Sequence, residues 1–323
     1  MKKTLFALVA AVSMATAGHA ADVAEIAKSA LEQVPAGTIA YKGQDGWLYS
    51  KNELEHLAAG ELANGKVAEH SKAMSSATAD PIPAMAAFND ELAADGIKLV
   101  VVPVPPKCAV VPFEGLEQGD AMQYLRPFYD ELRAKGIEVL DLYDAFAASE
   151  TPVYCKQDAH WNPHGIQIAA KQIAGLSGLE PGDETFEGKD ETIAIVGDLM
   201  ASLDKSAAPG EELAATRYEG DLIDESSPVL LLGDSHTLVF STGGDMLAEN
   251  AGLAECLAAE LKMPVDRIGV KGSASTVVRT TLFRKAARDD AWIRNKKVVV
   301  WCFSAREFTE STSGWLVVPV RRK

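Results

Sequence analysis

The sequence predicts an α/β fold in which helices cover both faces of a parallel sheet. Apolar runs typical of strands alternate along the chain with helical patterns, which is the order expected of βαβ units. Two of the runs, 97–102 and 228–232, are almost continuously apolar, as in strands that are buried on both faces. Proline directly after an N-cap residue, in Asp80-Pro81 and Asn162-Pro163, marks the start of two helices.

Each element is predicted from its own pattern. Gly96 and Gly136 close the first two helices, because glycine readily ends a helix. The strands are short runs rich in valine, isoleucine and leucine. In chain order, the elements are a helix from 81 towards 96, a strand at 97–102, a helix at 122–135, a strand at 137–140, a helix at 166–174, a strand at 228–232, a mostly helical stretch at 237–261, a strand at 265–270, a helix at 276–288 and a strand at 297–303.

Residues 1–20 are expected to be a cleaved export signal rather than part of the fold. They combine a basic start, an apolar segment too short to span a bilayer and the small-residue cleavage site Gly18-His19-Ala20. Residues 21–323 are then expected to form a single domain, which this signal would send to the periplasm. Within that domain, residues 182–225 are acidic and rich in turn residues, so we expect a lid or an insertion there.

Charge and cysteine content restrict the partners. The 31 basic and 46 acidic residues give a net charge of −15, which disfavours nucleic acid and anionic membrane surfaces as partners. The four cysteines lack the close spacing of a zinc site, and no metal site is predicted. In an oxidising compartment they permit one or two disulfides. A Cys108–Cys155 link would brace the loop before Asp158, whereas Cys256 and Cys302 stay unassigned.

A serine follows one of the predicted buried strands directly. In Gly233-Asp234-Ser235 the glycine permits a sharp turn, so the hydroxyl of Ser235 can project from the edge of the sheet. With a helix expected next, its N-terminus would stabilise a nearby anion. Ser235 is therefore the predicted nucleophile, with a simple capping serine as the structural alternative. Asp234 is expected to shape the turn.

A serine hydroxyl needs a base to remove its proton, and the segment Asp158-Ala159-His160-Trp161 offers one. In an extended segment, residues two apart point the same way. The carboxylate of Asp158 can then hold the imidazole of His160 in the tautomer that takes the proton from Ser235. We therefore predict an Asp158, His160 and Ser235 triad.

Two other histidines are weaker candidates. His236 follows the serine directly, but neighbours on a helix face different directions, so it is the runner-up base. His164 lies four residues after His160, a spacing used for zinc on helices. Pro163 fits a helix start and places His160 before the helix, which disfavours that metal site.

Acyl transfer also requires donors for the oxyanion and contacts to the substrate. The backbone N–H of Ser235 is one candidate donor, and Gly272, after the strand at 265–270, is the second. Trp161 is expected to wall the site and contact the substrate, together with Arg306 after the last strand. The chemistry predicted from these residues is serine-dependent acyl transfer or ester cleavage, and it requires no cofactor.

The motifs resemble those of the SGNH (GDSL-like) superfamily, which combines Gly-Asp-Ser with a separate Asp-x-His. In most members the serine comes first. Here Asp158 and His160 come some 75 residues before Ser235, an order similar to that of the AlgX/AlgJ group of alginate O-acetyltransferases. Weaker matches to that group are the stretches 46–49, 101–107, 158–165, 197–199 and 300–306.

The resemblance implies a circularly permuted SGNH-like α/β/α sandwich and an exported O-acetyltransferase. Ser235 would take an acetyl group and pass it to a hydroxyl of an exopolysaccharide. The implied partners are the polysaccharide, a membrane-bound acetyl-donating acyltransferase and other subunits of an export complex. Two alternatives stay open: a periplasmic carbohydrate acetyl-esterase and a non-catalytic carbohydrate-binding subunit. Alginate itself is not implied, because the acidic surface suits a polyanion poorly.

Overall fold

The computed structural model describes residues 22–322, and the predicted export signal at 1–20 lies outside them. Strands and helices alternate along most of this range. The strands are β1 (Ala40–Lys42), β2 (Leu48–Ser50), β3 (Lys98–Val104), β4 (Glu138–Val139), β5 (Gly188–Ile195), β6 (Glu211–Tyr218), β7 (Val229–Gly233), β8 (Asp266–Gly269) and β9 (Val298–Ser304).

Helices connect and cover the strands. They are α1 (Val23–Leu31), α2 (Lys51–Ala58), α3 (Lys66–His70), α4 (Pro81–Ala94), α5 (Lys107–Val110), α6 (Leu125–Ala134), α7 (Tyr143–Ala147), α8 (Pro163–Ser177), α9 (Asp198–Leu203), α10 (Leu253–Leu261), α11 (Thr276–Ala286), α12 (Asp290–Arg294) and α13 (Glu307–Glu310). Within residues 22–322, none of these helices has the length and apolar character that crossing a membrane requires.

The centre of the molecule is a sheet in the order β4-β3-β9-β7-β8, and each neighbouring pair in it is parallel. These are the five strands that the sequence predicts. Every residue of β7 and of β9 is buried. Since alternate residues face opposite sides, both faces of the sheet are covered, and the predicted α/β class is confirmed. The carboxyl ends of β7 and β9 lie side by side, with Gly233 opposite Cys302.

The cap signals act as the sequence predicts. The Asp80 carboxylate accepts the Ile82 N–H at 2.9 Å at the start of α4. The Asn162 side chain accepts the Gly165 N–H, also at 2.9 Å, at the start of α8. Each polar side chain satisfies a backbone donor that has no partner within its helix. The second cap fixes where α8 begins, and therefore leaves His160 in the loop before it.

The mostly helical stretch predicted at 237–261 is wrong in its first half. Ser235–Thr237 forms a single turn of 3₁₀ helix, and α10 begins only at Leu253. The chain between them is irregular because Phe240, Gly243 and Gly244 all adopt positive φ, which a right-handed helix does not allow. No α-helix therefore starts at the serine, and the expected anion stabilisation by a helix N-terminus does not apply.

The segment at 182–225 is more regular than its composition suggests. It contains α9 and a second, two-stranded sheet in which β5 and β6 pair antiparallel over eight residues each. Most side chains of both strands are exposed or half-buried, which explains why the sequence has no apolar run there. Within the segment, β6 packs against α8 of the main body, and α9 packs against β1 and β2.

The four cysteines are separate, buried thiols, so the predicted Cys108–Cys155 link is not formed. The thiol of Cys155 instead contacts the carbonyl oxygen of Trp161 at 3.5 Å. Burial raises the pKa of both the Cys108 and the Cys155 thiol. Buried, protonated thiols of this kind behave as small apolar side chains.

Candidate active site

Three polar side chains meet at the carboxyl end of β7. His160 Nε2 lies 2.7 Å from Ser235 Oγ, and His160 Nδ1 lies 2.6 Å from Asp158 Oδ1. All three residues are buried. The predicted acid, base and hydroxyl are therefore joined in one hydrogen-bonded chain, in the order that serine activation requires.

Ser235 is held in place by the turn before it. A side chain on Gly233 would overlap the carbonyl oxygen of Cys302 on the neighbouring strand, so only glycine lets β7 and β9 approach this closely. The Asp234 carboxylate accepts the His236 N–H at 2.8 Å and the Ser304 N–H at 2.9 Å. Asp234 therefore fastens the turn to the end of β9, as the sequence predicts for a turn-shaping residue.

Asp158 and His160 lie on a tight loop. Its two sides are joined by hydrogen bonds from the Cys155 N–H to the His160 carbonyl at 3.1 Å and from the Asn162 N–H to the Val153 carbonyl at 3.0 Å. Within the loop, Asp158 Oδ1 also accepts the His160 backbone N–H at 2.9 Å. One carboxylate oxygen thus fixes both the backbone and the ring of the histidine.

The segment at 182–225 braces this loop from outside. Glu211, the first residue of β6, accepts the Lys156 N–H at 2.5 Å on one oxygen and the Gln157 N–H at 2.9 Å on the other. Asp198 accepts the Ala159 N–H at 2.8 Å. The Asp198 N–H in turn donates to Asp158 Oδ2 at 2.8 Å. Both oxygens of the triad acid are therefore occupied.

Sequence reasoning missed Asp198 and Glu211. A signal for the first was available in Gly197-Asp198-Leu199. A side chain on Gly197 would overlap the backbone of Gln157, so glycine is required where α9 meets the loop. No comparable signal marks Glu211, because one glutamate in an acidic segment does not stand out.

A buried lysine supports the loop from inside. Lys107 Nζ donates to the carbonyl oxygens of Leu48 at 2.6 Å, Asp158 at 3.1 Å and Lys156 at 3.3 Å. Its ammonium group also lies over the Trp47 ring, 5.2 Å from the centroid. Burial lowers the pKa of Lys107 to about 8. The three carbonyls satisfy all three ammonium donors.

Opposing effects set the pKa values of the triad. Burial alone would raise the pKa of Asp158, but the hydrogen bond and charge of His160 outweigh it, and the pKa falls below its usual range. Burial would lower the pKa of His160, but the Asp158 carboxylate raises it above the ordinary value. Burial and the charge of Asp158 raise the pKa of Asp198 to about 6. The acid therefore stays ionised beside a basic imidazole.

A second aspartate–histidine pair lies directly behind the first. His236 Nδ1 lies 3.0 Å from Asp234 Oδ1, and the His236 ring packs against that of His160 with 4.8 Å between centroids. It is His160, and not the runner-up base His236, that contacts the Ser235 hydroxyl. Burial is the main cause that lowers the pKa of His236.

The predicted oxyanion donors differ in position. Across residues 22–322, the backbone N–H of Ser235 takes part in no hydrogen bond, so it is available to a ligand. Gly272 lies in an exposed turn with φ of 74°, and no hydrogen bond joins it to the triad in the described part of the chain. The nearby N–H of Ala274 is already bound to Glu307 at 3.0 Å. The role of Gly272 stays a prediction.

The two predicted substrate contacts also differ. Trp161 is completely buried, with its ring centroid 5.5 Å from that of His236. It supports the histidines from behind, so contact with a substrate would require the ring to become exposed. Arg306 is half-buried at the end of β9, and its charge acts on both His160 and His236. That position suits a contact near the reacting atoms.

One group of side chains has the composition of a metal site. The ligand atoms of Asp158, His160 and Asp198 lie within 4.8 Å of one another. The atoms that would bind a metal are already used within the loop and the triad. Both oxygens of Asp158 accept hydrogen bonds, and Nδ1 of His160 faces one of them. His164, whose spacing from His160 is that of a zinc pair but which the sequence disfavours as a ligand, bonds to Ser149 Oγ at 2.9 Å.

Comparison with known proteins gives one family. Residues 40–305 match the family described as "SGNH hydrolase-like domain, acetyltransferase AlgX", which is well over half of the chain. A segment of 171 residues, 50% of this chain, is 29% identical to the protein named "Probable alginate O-acetylase AlgJ" of Pseudomonas syringae pv. tomato. That segment covers 40% of the relative's length, so this chain spans less than half of that protein.

Two solved structures have a similar fold. The O-acetyltransferase domain of Pseudomonas putida AlgJ has a TM-score of 0.60 at 19% identity, covering 84% of this chain and 92% of that domain. Pseudomonas aeruginosa AlgX has a TM-score of 0.58 at 20% identity, covering 88% of this chain and 66% of that protein. At these identities the likeness establishes the SGNH-like fold.

Proposed function

The chain belongs to the SGNH hydrolase-like family of the acetyltransferase AlgX, and on this premise we propose that it is a serine-dependent O-acetyltransferase that acetylates a polysaccharide. The observation that carries the proposal is the continuous hydrogen-bonded chain from Asp158 through His160 to the Ser235 hydroxyl. A protein that only binds carbohydrate has no need of an activated serine. The relatives named alginate O-acetylase support the choice of an acetyl group and a polysaccharide.

In the first proposed step, Ser235 takes the acetyl group. His160 Nε2 removes the hydroxyl proton while Ser235 Oγ bonds to the carbonyl carbon of an acetyl donor. The carbonyl oxygen becomes an oxyanion, and the N–H of Ser235, which has no partner within residues 22–322, would stabilise it. The intermediate collapses, the bond to the donor's leaving oxygen breaks, and that oxygen takes the proton from His160. Acetyl-serine remains.

In the second step, a sugar hydroxyl replaces the donor. His160 removes its proton as the sugar oxygen bonds to the acetyl carbon, and the bond to Ser235 Oγ then breaks. The serine oxygen regains the proton, so the acetylated sugar leaves and the enzyme returns to its starting state. Water competes for the same intermediate, and a transferase must hold the sugar in its place. The chemistry uses only groups of the chain, with no cofactor.

We further propose the setting that the sequence predicts. The chain would work in the periplasm, where a membrane-bound acyltransferase and other subunits of an export complex supply the acetyl group and the growing polysaccharide. The predicted export signal at 1–20 and the relatives named alginate O-acetylase support this setting.

The experiment is intact-protein mass spectrometry after incubation with nitrophenyl acetate. We expect one acetyl group on the parent protein, located at Ser235 by peptide mapping, and none on Ser235→Ala. Ser227→Ala is the matched control, since Ser227 is a buried serine just before the opposite end of β7. Addition of polysaccharides should discharge the adduct onto the glycan. Rapid release to water whatever glycan is added would indicate an esterase, and no adduct in the parent would leave a binding subunit.

A further inference from the structure

A groove runs along the outer side of the loop that carries Asp158 and His160. Two cavities of about 400 and 180 Å³ meet at Trp47, Thr151 and Pro152, which line both of them. We call their combined space the Trp47 groove. The larger cavity is within the volume range of small-molecule sites. The smaller cavity adjoins it at Trp47, so the two together offer more room than one sugar needs.

The Trp47 groove borders the candidate active site. Two of its lining residues, Lys156 and Asn162, are each two residues from a member of the triad, on opposite sides of the loop. At about 3.3 Å per extended residue, that separation is about 7 Å along the chain. The Leu48 N–H donates to the Lys156 carbonyl at 2.9 Å, so Trp47 is anchored to the same loop.

The lining combines an aromatic ring with hydrogen-bonding side chains. The Trp47 ring is half-buried and lies where the two cavities meet. Thr151, Gln118 and His164 add hydroxyl, amide and imidazole groups along the walls. A pyranose presents C–H groups on its faces and hydroxyls at its rim, so a ring face with polar groups around it is the complementary surface.

The charges of the Trp47 groove limit what can lie in it. Its lining contains three carboxylates, from Glu150, Glu211 and Glu212, and one ammonium group, from Lys156. The carboxylate of Glu211 accepts two backbone N–H groups of the loop, from Lys156 and Gln157. A chain of uronates would bring one more negative charge per sugar into this field, which disfavours it.

We propose that the Trp47 groove binds the acceptor polysaccharide, and that this acceptor is an uncharged pyranose chain. The inference rests on the proposed acetyl transfer for its purpose, but glycan binding can be measured without it. A polymer in the Trp47 groove would contact the loop that carries Asp158 and His160, a placement from which one of its hydroxyls would be delivered to the acetyl group on Ser235. Binding there would also hold the sugar in place of water.

The test is glycan binding to Ser235→Ala protein, which keeps the groove and cannot turn over. The probes are neutral hexasaccharides of β-linked glucose, mannose and N-acetylglucosamine, and unacetylated hexamannuronate, measured by calorimetry. We expect a neutral hexamer to bind more tightly than hexamannuronate. Adding Trp47→Ala should weaken that binding about tenfold, the effect of losing an aromatic contact. Trp47→Phe should restore most of it.

Two further variants keep the test decisive. Tyr124→Ala is the matched control, because Tyr124 is also half-buried and lines a cavity of about 290 Å³ that does not share residues with the loop. It should leave binding within twofold. Glu212→Lys, on an exposed position of the groove, should increase affinity for hexamannuronate.

The outcomes separate the groove from the chemistry. Equal binding by the Trp47→Ala and Tyr124→Ala proteins, both folded by circular dichroism, would overturn the groove. Hexamannuronate as the tightest ligand at physiological salt would overturn the uncharged acceptor. If a neutral hexamer binds through Trp47 but the parent protein never acetylates Ser235, the groove stands and the proposed transferase activity fails.

Discussion

Two Asp-x-His units lie side by side in this molecule, Asp158-x-His160 in the loop and Asp234-x-His236 after β7. Their local geometry is nearly the same. In each, one aspartate oxygen accepts both the backbone N–H and the Nδ1 of the histidine two residues later. In each, the other oxygen accepts a backbone N–H from another element, that of Asp198 in the first unit and of Ser304 in the second.

The two units differ in what surrounds them. The His160 ring reaches the Ser235 hydroxyl, and its pKa is raised, chiefly because the bond to Asp158 outweighs burial. The His236 ring faces His160 and Trp161, and its pKa is lowered by burial. The same spacing therefore gives the proposed base in one place and a packing unit in the other. The group beyond the ring, a serine hydroxyl in one unit and two aromatic rings in the other, distinguishes the two roles, and the Asp-x-His pattern alone does not.

The largest expected effect separates the two aspartates. We predict that Asp158→Asn slows acetylation of Ser235 by about 10⁴-fold, because an amide no longer holds the imidazole in the tautomer that accepts a proton. Asp234→Asn should slow it by no more than about tenfold, although it costs about 1–3 kcal/mol of stability through an unsatisfied N–H. The rate of acyl-enzyme formation with nitrophenyl acetate measures both.

The comparison would fail if the two variants lost activity equally while both stayed folded. That result would make the second unit part of the proton path. Thermal unfolding of both proteins is the control, because the Ser304 N–H that Asp234 accepts lies at the end of a central strand.

Each unit has a nearby glycine at a position where two backbone segments lie too close together for a side chain. The second prediction compares substitutions at these two glycines. Gly197 lets α9 reach the backbone of Gln157, and Gly233 lets β7 approach Cys302. We expect Gly197→Ala to fold and react about 10²-fold more slowly, since a shift of about 1 Å in the loop misplaces the base. Gly233→Ala should instead yield little folded protein, because the overlap lies inside the central sheet.

The control for both is Gly175→Ala in α8, where a new methyl group meets no neighbouring atom. It should raise stability by about 0.5–1 kcal/mol, as alanine does in a helix. A Gly197→Ala protein with full activity would mean that α9 does not position the loop. Soluble expression, melting temperature and the rate of acylation are the three measurements.

The third prediction concerns Glu211, whose carboxylate accepts two backbone N–H groups of the loop in the first unit. Glu211→Gln should slow acylation about tenfold, because an amide accepts one of the two loop N–H groups and leaves the other without a partner. Glu191→Gln is the matched control. Glu191 lies on the paired strand β5 and binds Arg217 rather than the loop, at 2.7 Å, so activity should persist. Equal loss in both would indicate that the hairpin matters only for folding.

Much of this arrangement follows from the sequence, and the reason is local. The strands of the central sheet are short apolar runs, and the caps at Asp80 and Asn162 use side chains within three residues of the donors they satisfy. The triad is also predicted from short stretches of sequence, since Gly233 marks the turn and Asp158 and His160 are two residues apart. Each of these signals depends on a few neighbours in the chain.

What the sequence did not predict depends on distant contacts. Glu211 bonds to residues more than 50 positions earlier, and only the folded chain brings the hairpin to the loop. The long helix expected after Ser235 failed because three residues between 240 and 244 take positive φ, and Phe240 gives no warning of this. The predicted disulfide is not formed, and the Cys155 thiol contacts the carbonyl oxygen of Trp161 instead.

The smallest expected effect is a shift in pH dependence that two charges near His160 control in opposite directions. The base must be neutral to accept a proton, so the acylation rate should fall as the pH drops through the raised pKa of His160. The negative charge of Asp198 raises that pKa, and the positive charge of Arg306 lowers it.

Asp198→Asn keeps an oxygen for the Ala159 N–H and should move this fall in rate to lower pH. Arg306→Gln should move it to higher pH. Shifts in the same direction, measured as acylation rate against pH, would mean that a group other than His160 accepts the proton.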